Sequence, residues 1–318
     1  MYEIRPAHDT DLDQVVALLR RLQAVPEHTI GYHGETSEEL TSELTDLRWP
    51  SASVVAVDGT DRVHGVLSFD VDPTLGRVWW HGPFVDVPAE HPAADRIWDR
   101  TADALHDAAR ALPALRDISD SELFGHVEHT RLAGFARRHG FPSGKYTSVL
   151  ALDGVDLVRL IGTVIGTVSD RPDAVTVREF PTPPTDSVAA AALIRLHDAC
   201  FPNTYVSAAQ LLAGGTDRTV IAAFDGGCLV GYAVGSAQQA EYFVDFVAVA
   251  TESRGRGIAG ALVTALIQRM ADRHGARPKA CATVVGGNAA SRRMLHNLGF
   301  RPLLELVSYR LRAQRLVA

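Results

Sequence analysis

The feature that most constrains this chain is that it repeats. An apolar run at 54–59 followed by a second at 63–67 reads as a hairpin, and 220–226 followed by 229–233 reads the same way. Phe84-Val85-Asp86-Val87 recurs as Phe246-Val247-Ala248-Val249, and His139-Gly140-Phe141 recurs as Leu298-Gly299-Phe300. Each half closes on a strand-like run, 146–152 and 306–311. Successive matches at similar offsets mark a duplicated domain.

Each half also opens alike, with a strand, a polar turn and an amphipathic helix. Thr10 is placed to cap the first helix, whose apolar stripe is Leu12, Val15, Val16 and Leu19. Ser187 is placed to cap the counterpart that runs through Leu193, Leu196 and His197. Strands alternating with helices predict an α/β (α+β) chain of two tandem domains, each a mixed central sheet flanked by helices. The expected boundaries are 1–152 for the first domain, 153–173 for a linker marked by Gly154, Gly162, Gly166 and Pro172, and 174–318 for the second domain.

Charge and cysteine usage narrow the function classes. With 31 basic and 38 acidic residues the formal net charge is −7, which gives no electrostatic footprint for nucleic acid. The opening stretch from Met1 to Pro6 reads as a strand, with no basic, apolar signal segment, and no run is long enough to span a membrane. The expectation is a soluble cytoplasmic protein with neither nucleic acid nor membrane as partner. Cys200, Cys228 and Cys281 form no CxxC pair, which argues for a reducing compartment, and they read as small core residues. No metal site is expected: His126, Glu128 and His129 read as exposed loop residues without further ligands at helpful spacing.

The chemistry concentrates at 247–262. An apolar strand ending Val247-Ala248-Val249 runs into Arg254-Gly255-Arg256-Gly257, and a helix opens with Ile258-Ala259-Gly260. Such a turn aims backbone N–H groups and a helix N-terminus at one point, a site suited to a phosphate-bearing cofactor. Gly255 and Gly257 allow close backbone approach, and Arg254 and Arg256 add positive charge. Read as GxGxxG, the loop also fits a dinucleotide site. Against that reading, residues 250–254 separate the strand from the glycines, and the next strand, 279–285, ends in Gly286-Gly287-Asn288 rather than in an acid for the ribose.

Read instead as R-x-x-G-x-A on Arg254, Gly257 and Ala259, the loop resembles the pyrophosphate loop of the GNAT acyltransferase superfamily. The downstream run from Asn288 through Ser291 to Gly299-Phe300 resembles that family's second signature. The likeness is specific over 241–311 and plausible over 174–318, and the first half shares it in outline only. It implies tandem GNAT-like domains, acetyl-CoA as co-substrate, and transfer of an acetyl group to a small-molecule or peptide amine in a ternary complex. The alternative is a non-catalytic acyl-CoA-binding or regulatory protein on the same fold. By this resemblance Val247, Ala248 and Val249 pair with the pantetheine arm, Arg254, Gly255, Arg256, Gly257, Ile258, Ala259 and Gly260 hold the pyrophosphate, and Asn288, with Ser291 one turn on, holds the arm.

An attacking amine must lose a proton, and an alkyl ammonium has a pKa of about 10. Asp245, an acid inside the apolar strand 243–247, is the candidate base; strand alternation puts it on the face of Val249. The family often has a Tyr where this chain has Leu295, which carries no proton to give the leaving thiolate. In the first half Pro92, Asp95 and Ile97 stand opposite Arg254, Gly257 and Ala259, and His129 stands opposite Asn288. That loop has no glycine and carries Glu90 and Asp95, so the first half is expected not to bind coenzyme A in the usual way. The acceptor is expected near 200–205, where Phe201 and Tyr205 supply rings.

Overall fold

The structure, a computed structural model, describes residues 2–30, 33–34, 36–73, 75–88, 90–116, 118–163, 175–202, 204–213 and 218–312. The first run of elements is β1 (Glu3–Pro6), α1 (Leu12–Gln23), α2 (Ser37–Asp46), β2 (Ser53–Val57), β3 (Val63–Asp72), β4 (Arg77–Val85), α3 (Ala94–Arg110), β5 (Asp120–His126), α4 (Thr130–Arg138) and β6 (Ser143–Asp153). Helix α5 (Gly154–Ile161) comes next. The second run is β7 (Thr176–Glu179), α6 (Ser187–Cys200), α7 (Ala208–Leu212), β8 (Arg218–Asp225), β9 (Cys228–Ala237), β10 (Glu241–Val249), α8 (Ile258–His274), β11 (Lys279–Val285), α9 (Ala289–Asn297) and β12 (Arg301–Arg312). The two runs match one for one, so the repeat read from short apolar matches is a repeat of the whole fold.

Two compact units result. The first takes the chain up to Thr147 and again from Leu304 onward, and the second takes Ser148–Leu303. This division differs from the expected 1–152, 153–173 and 174–318 because of where the closing strands pair. Strand β12 runs antiparallel to β5, with Leu306 opposite His126 and Arg312 opposite Asp120, so the end of the second run completes the first sheet. The second part of β6 lies beside β11 and completes the second. Nor is 154–161 a linker. It is helix α5, whose Leu157 and Leu160 are buried in the second unit's core. Gln268 of α8 donates through Nε2 to the carbonyls of Leu160, Ile161 and Thr163, satisfying the end of that helix. Residues 164–174 of the expected seam lie outside the described residues.

In each unit the sheet is antiparallel through four strands, β1-β2-β3-β4 and β7-β8-β9-β10, and then gains a parallel neighbour, β5 or β11. Both faces of the second sheet are covered. Helix α8 buries Ile258, Leu262, Val263, Leu266, Ile267 and Met270 on one face, a stripe at helical spacing. Helices α6 and α7 bury Leu193, Leu211 and Leu212 against Phe246 and Ala248 on the other. In the first unit α3 lays Trp98, Ala102, Leu105 and Ala109 on its sheet.

Several local expectations shift by a residue. Thr10 sits within a single 3-10 turn, and α1 starts after Asp11, whose carboxylate takes the His8 N–H and a two-pronged ion pair from Arg5. Asp186, not Ser187, caps α6, because its extended backbone lets the carboxylate accept from Val188 and Ala189. Cys281 is buried, but Cys228 is exposed where it opens β9 after the hairpin turn, so it is not a core residue. No helix among the described residues is long and apolar enough to cross a membrane.

Candidate active site

Strand β10 carries a bulge at Asp245: Val244 pairs with Gly235 and Phe246 with Val234, leaving Asp245 unopposed. The parallel ladder to β11 runs from Glu241 opposite Lys279 to Val244 opposite Ala282 and stops there, although the strands continue to Val249 and Val285. Beyond the bulge, then, β10 presents an unladdered edge over Val247, Ala248 and Val249 toward the gap beside β11. Both helices that succeed these strands, α8 and α9, begin at this end of the sheet, where open α/β sheets place their ligands.

The loop after β10 is held by one side chain and freed by two glycines. Arg254 donates through Nε to the Val249 carbonyl at 3.1 Å, tying the loop to the strand end. Gly255 and Gly257 both have φ of 77°, which L side chains rarely adopt, and a Cβ at either would meet nothing within 4 Å. Gly257 is the N-cap of α8 and offers no side-chain acceptor, so the N–H groups of Ile258, Ala259 and Gly260 stay uncapped beside open space. Arg256 is not a free charge: its Nη1 pairs with Asp225 at 2.5 Å. Asn288 caps α9, its Oδ1 accepting from the Ser291 N–H at 3.1 Å, and its amide NH2 has no partner among the described residues. The structure thus gathers the predicted cofactor residues at one end of the second sheet, with Ser291 acting through its backbone.

The bulge separates Asp245 from Val249, which the expected alternation had put on one face. Val249 packs in the core under α8, while Asp245 turns to the side covered by α6 and α7. There the Tyr205 hydroxyl donates to Oδ1 at 2.5 Å, and the Tyr205 ring stacks on Phe246 at 5.4 Å. Oδ2 is buried without a hydrogen-bond partner, and so is Nε of Arg218, 3.7 Å away. Burial pushes the Asp245 carboxyl above the usual carboxylate range, against the Tyr205 hydrogen bond and the Arg218 charge, which pull it down. His197 supports this wall. Its Nε2 lies 3.0 Å from the Val206 carbonyl, which only accepts, so Nε2 holds the proton and Nδ1 accepts from the Tyr232 hydroxyl at 2.6 Å.

Sequence reasoning missed Arg218 and the supporting role of His197. Nothing local marks Arg218, whereas His197 carried a signal: a histidine on the apolar stripe of α6 requires buried partners. Leu295 is buried and has no proton to give, and His296 is exposed on α9. Phe201 packs with Phe246 at 4.9 Å as part of the core, and Asn203 lies outside the described residues.

The first unit repeats the parting of strands and then closes it. The ladder between β4 and β5 runs from Arg77 opposite Asp120 to Trp80 opposite Leu123 and stops. Beyond that point Ile30 forms an antiparallel bridge with Gly125, and the His126 N–H donates to the Thr29 carbonyl at 2.9 Å. Gly125 already pairs with Val307 of β12 on its other edge, so Thr29 and Ile30 occupy the edge facing β4. His129, expected to be an exposed loop residue, is 7% exposed; it caps α4, with Nδ1 accepting from the Leu132 N–H, as Asn288 caps α9. Among the described residues no group of His, Cys, Asp or Glu is arranged to hold a metal ion.

Over residues 190–300 the chain matches the acetyltransferase (GNAT) family. No curated protein sequence matches it. Among solved structures, a GCN5-related N-acetyltransferase from Sphaerobacter thermophilus is similar with a TM-score of 0.70 at 15% identity, over 98% of this chain and 95% of that one. A tandem GNAT protein from the clavulanic acid biosynthesis pathway is similar with a TM-score of 0.66 at 16% identity, over 98% of both chains. A GCN5-related N-acetyltransferase from Kribbella flavida gives 0.54 at 16%, over 95% and 97%. At these identities the structural likeness is one of fold, and it extends across both units. The GNAT acetyltransferase signature thus lies in the second unit, over residues 190–300, and the fold across both units is like that of a tandem GNAT protein.

Proposed function

We propose that the protein is an acetyl-CoA-dependent N-acetyltransferase whose working site is in the second unit. The observation that carries this reading is the open edge of β10 beyond the Asp245 bulge, leading directly to the uncapped N-terminus of α8. Acetyl-CoA would supply the acetyl group as a thioester. The N–H groups of Ile258, Ala259 and Gly260, with the Arg254 and Arg256 side chains, would hold its pyrophosphate, an anion matched to a helix N-terminus. The edge of Val247, Ala248 and Val249 and the amide of Asn288 would hold the amides of its arm.

Asp245 then acts on the acceptor, a small-molecule or peptide amine. Its Oδ2 makes no hydrogen bond that the acceptor must displace, and its raised pKa suits a base that must take a proton from an ammonium. Asp245 takes one proton from the ammonium and frees the lone pair; the amine nitrogen then bonds to the acetyl carbon, the carbon–sulfur bond breaks, and the second proton leaves nitrogen for water. The leaving thiolate takes its proton from water, since the Leu295 position offers none. No step calls on nucleic acid or a membrane, and the family's chemistry suits a cytoplasmic setting.

Calorimetric titration of acetyl-CoA into the full chain tests the binding half of this reading. One site per chain is expected, abolished by Gly257→Glu, which puts a carboxylate and a strained φ at the helix N-terminus. Two sites, or none, overturn it. Thiol release across an amine panel, compared between the native chain and Asp245→Asn, tests the chemical half. Binding without transfer by the native chain would leave an acyl-CoA-binding protein.

A further inference from the structure

The first unit keeps a cavity of about 310 Å³ lined in part by Ile30, the residue that bridges to Gly125. Its walls include Ile30, Phe84 and Trp98, and His129 lines it. The His129 side chain is more than nine-tenths buried. Because Nδ1 accepts the Leu132 N–H, the neutral ring carries its proton on Nε2, and Nε2 has no partner among the described residues. Nε2 is a donor accessible from the cavity that His129 lines, so an acceptor that enters can take its proton in a hydrogen bond. Asn288 in the second unit has the same form: one atom caps the helix, and the other group is a donor with no protein partner among the described residues.

Charge at the mouth decides which molecules enter. Arg131 is paired with Asp95 at 2.9 Å, so its charge is already matched. Glu27 and Glu128 also line the cavity and have no ion pair among the described residues. His28 and His129 do not offset them, since burial holds both below the usual histidine range. The mouth therefore repels phosphates and carboxylates and attracts cations. We infer that this cavity binds a small organic amine whose hydroxyl or carbonyl oxygen accepts from His129 Nε2, whose apolar body lies on Trp98, and whose ammonium sits between Glu27 and Glu128. The inference concerns the first unit and stands whether or not the second transfers acetyl groups.

The probe is phenylalaninol, an amine with a hydroxyl and a phenyl ring, titrated into the full chain while the histidine ring signals are followed by NMR. A saturable shift of the His129 signal is expected, with 3-phenyllactate, its anionic counterpart, bound about ten-fold more weakly or worse. His129→Ser keeps an oxygen for the α4 cap but removes the ring donor, and phenylalaninol affinity should fall about ten-fold. The doubly substituted Glu27→Gln, Glu128→Gln chain removes both charges at nearly constant size; it should lose the preference for phenylalaninol over phenyllactate. The inference is overturned if the His129 signal does not move up to about 10 mM probe, if phenyllactate binds as tightly to the native chain, or if the double variant keeps the native preference.

Discussion

In both units the parallel ladder stops four residues in, after Trp80 and Leu123 in one and after Val244 and Ala282 in the other. Past that point the two units diverge. In the second unit the connection from α6 to α7 leans on β10 through Tyr205 and Asp245, and among the described residues no bridge joins β11 across the gap. In the first unit the connection from α1 to α2 reaches further and pairs Ile30 with Gly125. The first unit thus satisfies with its own backbone a strand edge whose counterpart in the second carries no such bridge among the described residues. The loops after the strands agree with this division. One has two glycines in left-handed conformation before an uncapped helix; the other has no glycine and places Glu90, His91 and Asp95 around the helix start. One fold yields an open slot or a closed one, and the choice lies in two connections rather than in the sheet.

The largest effect that tests this contrast is on turnover. Asp245→Asn keeps the size of the side chain and removes the base, so kcat should fall about a hundred-fold or more while acetyl-CoA affinity holds. Asp95→Gly in the first unit, judged by the same two assays, should change neither. Acetyl transfer that survives Asp245→Asn would mean that proton removal occurs elsewhere.

Ile30→Ala probes the closed slot. Ile30 is 1% exposed and packs in the first unit's core, so truncation should cost about 3 kcal/mol in a denaturant titration. Acetyl-CoA stoichiometry should stay at one per chain, because the Ile30 backbone bridge survives and the first unit's loop still lacks its glycines. A second binding site in this variant would show that the Ile30 side chain alone closes the slot.

Acid should separate the units next. Burial holds His81, His106 and His129 of the first unit at about 3, against an unfolded value near 6.5. The unfolded chain therefore binds more protons as pH falls below 6.5, and each histidine removes about 1.4 kcal/mol of stability per pH unit until its folded pKa is reached. Asp11 adds to the loss. Burial pushes its carboxyl up, but the Arg5 ion pair and the His8 N–H outweigh that and leave it lowered, so its contribution disappears as pH falls through the folded value. The second unit contributes His197 in the same direction, but Asp245 opposes it, since a raised folded pKa favours the folded state on protonation. Hydrogen exchange tracked by peptide between pH 6.5 and about 4 should show protection lost first in the first unit. Simultaneous loss would mean that the units unfold as one.

Much of this contrast was legible in the chain. Paired apolar runs revealed the repeat because strands and helices write their period locally, and the Gly255 and Gly257 loop showed itself because positive φ leaves few choices of residue. Asp245 stood out as an acid in an apolar strand. Its surroundings did not: Arg218 and Tyr205 reach it from 27 and 40 residues upstream, and a bulge reverses the alternation that placed it beside Val249. The Ile30 bridge was equally hidden, because a pairing of two residues with a strand almost a hundred residues away has no period to read. The unit boundary was missed for the same reason, since the partner of β12 depends on which sheet has a free edge.

Tyr205→Phe gives the smallest and most selective effect. It removes one hydroxyl and keeps the ring on Phe246, so folding and acetyl-CoA affinity should be unchanged. The lost hydrogen bond is one of the two influences that hold the Asp245 carboxyl down, so its pKa should rise further and the acid limb of the pH–rate profile should move to higher pH. Below that limb the variant should be several-fold slower, and well above it the rates should converge, which a merely structural defect would not produce. Arg218→Gln should move the limb in the same direction through the lost charge. An unmoved limb in both variants would remove Asp245 from the proton path and leave the open edge of β10 as a binding feature alone.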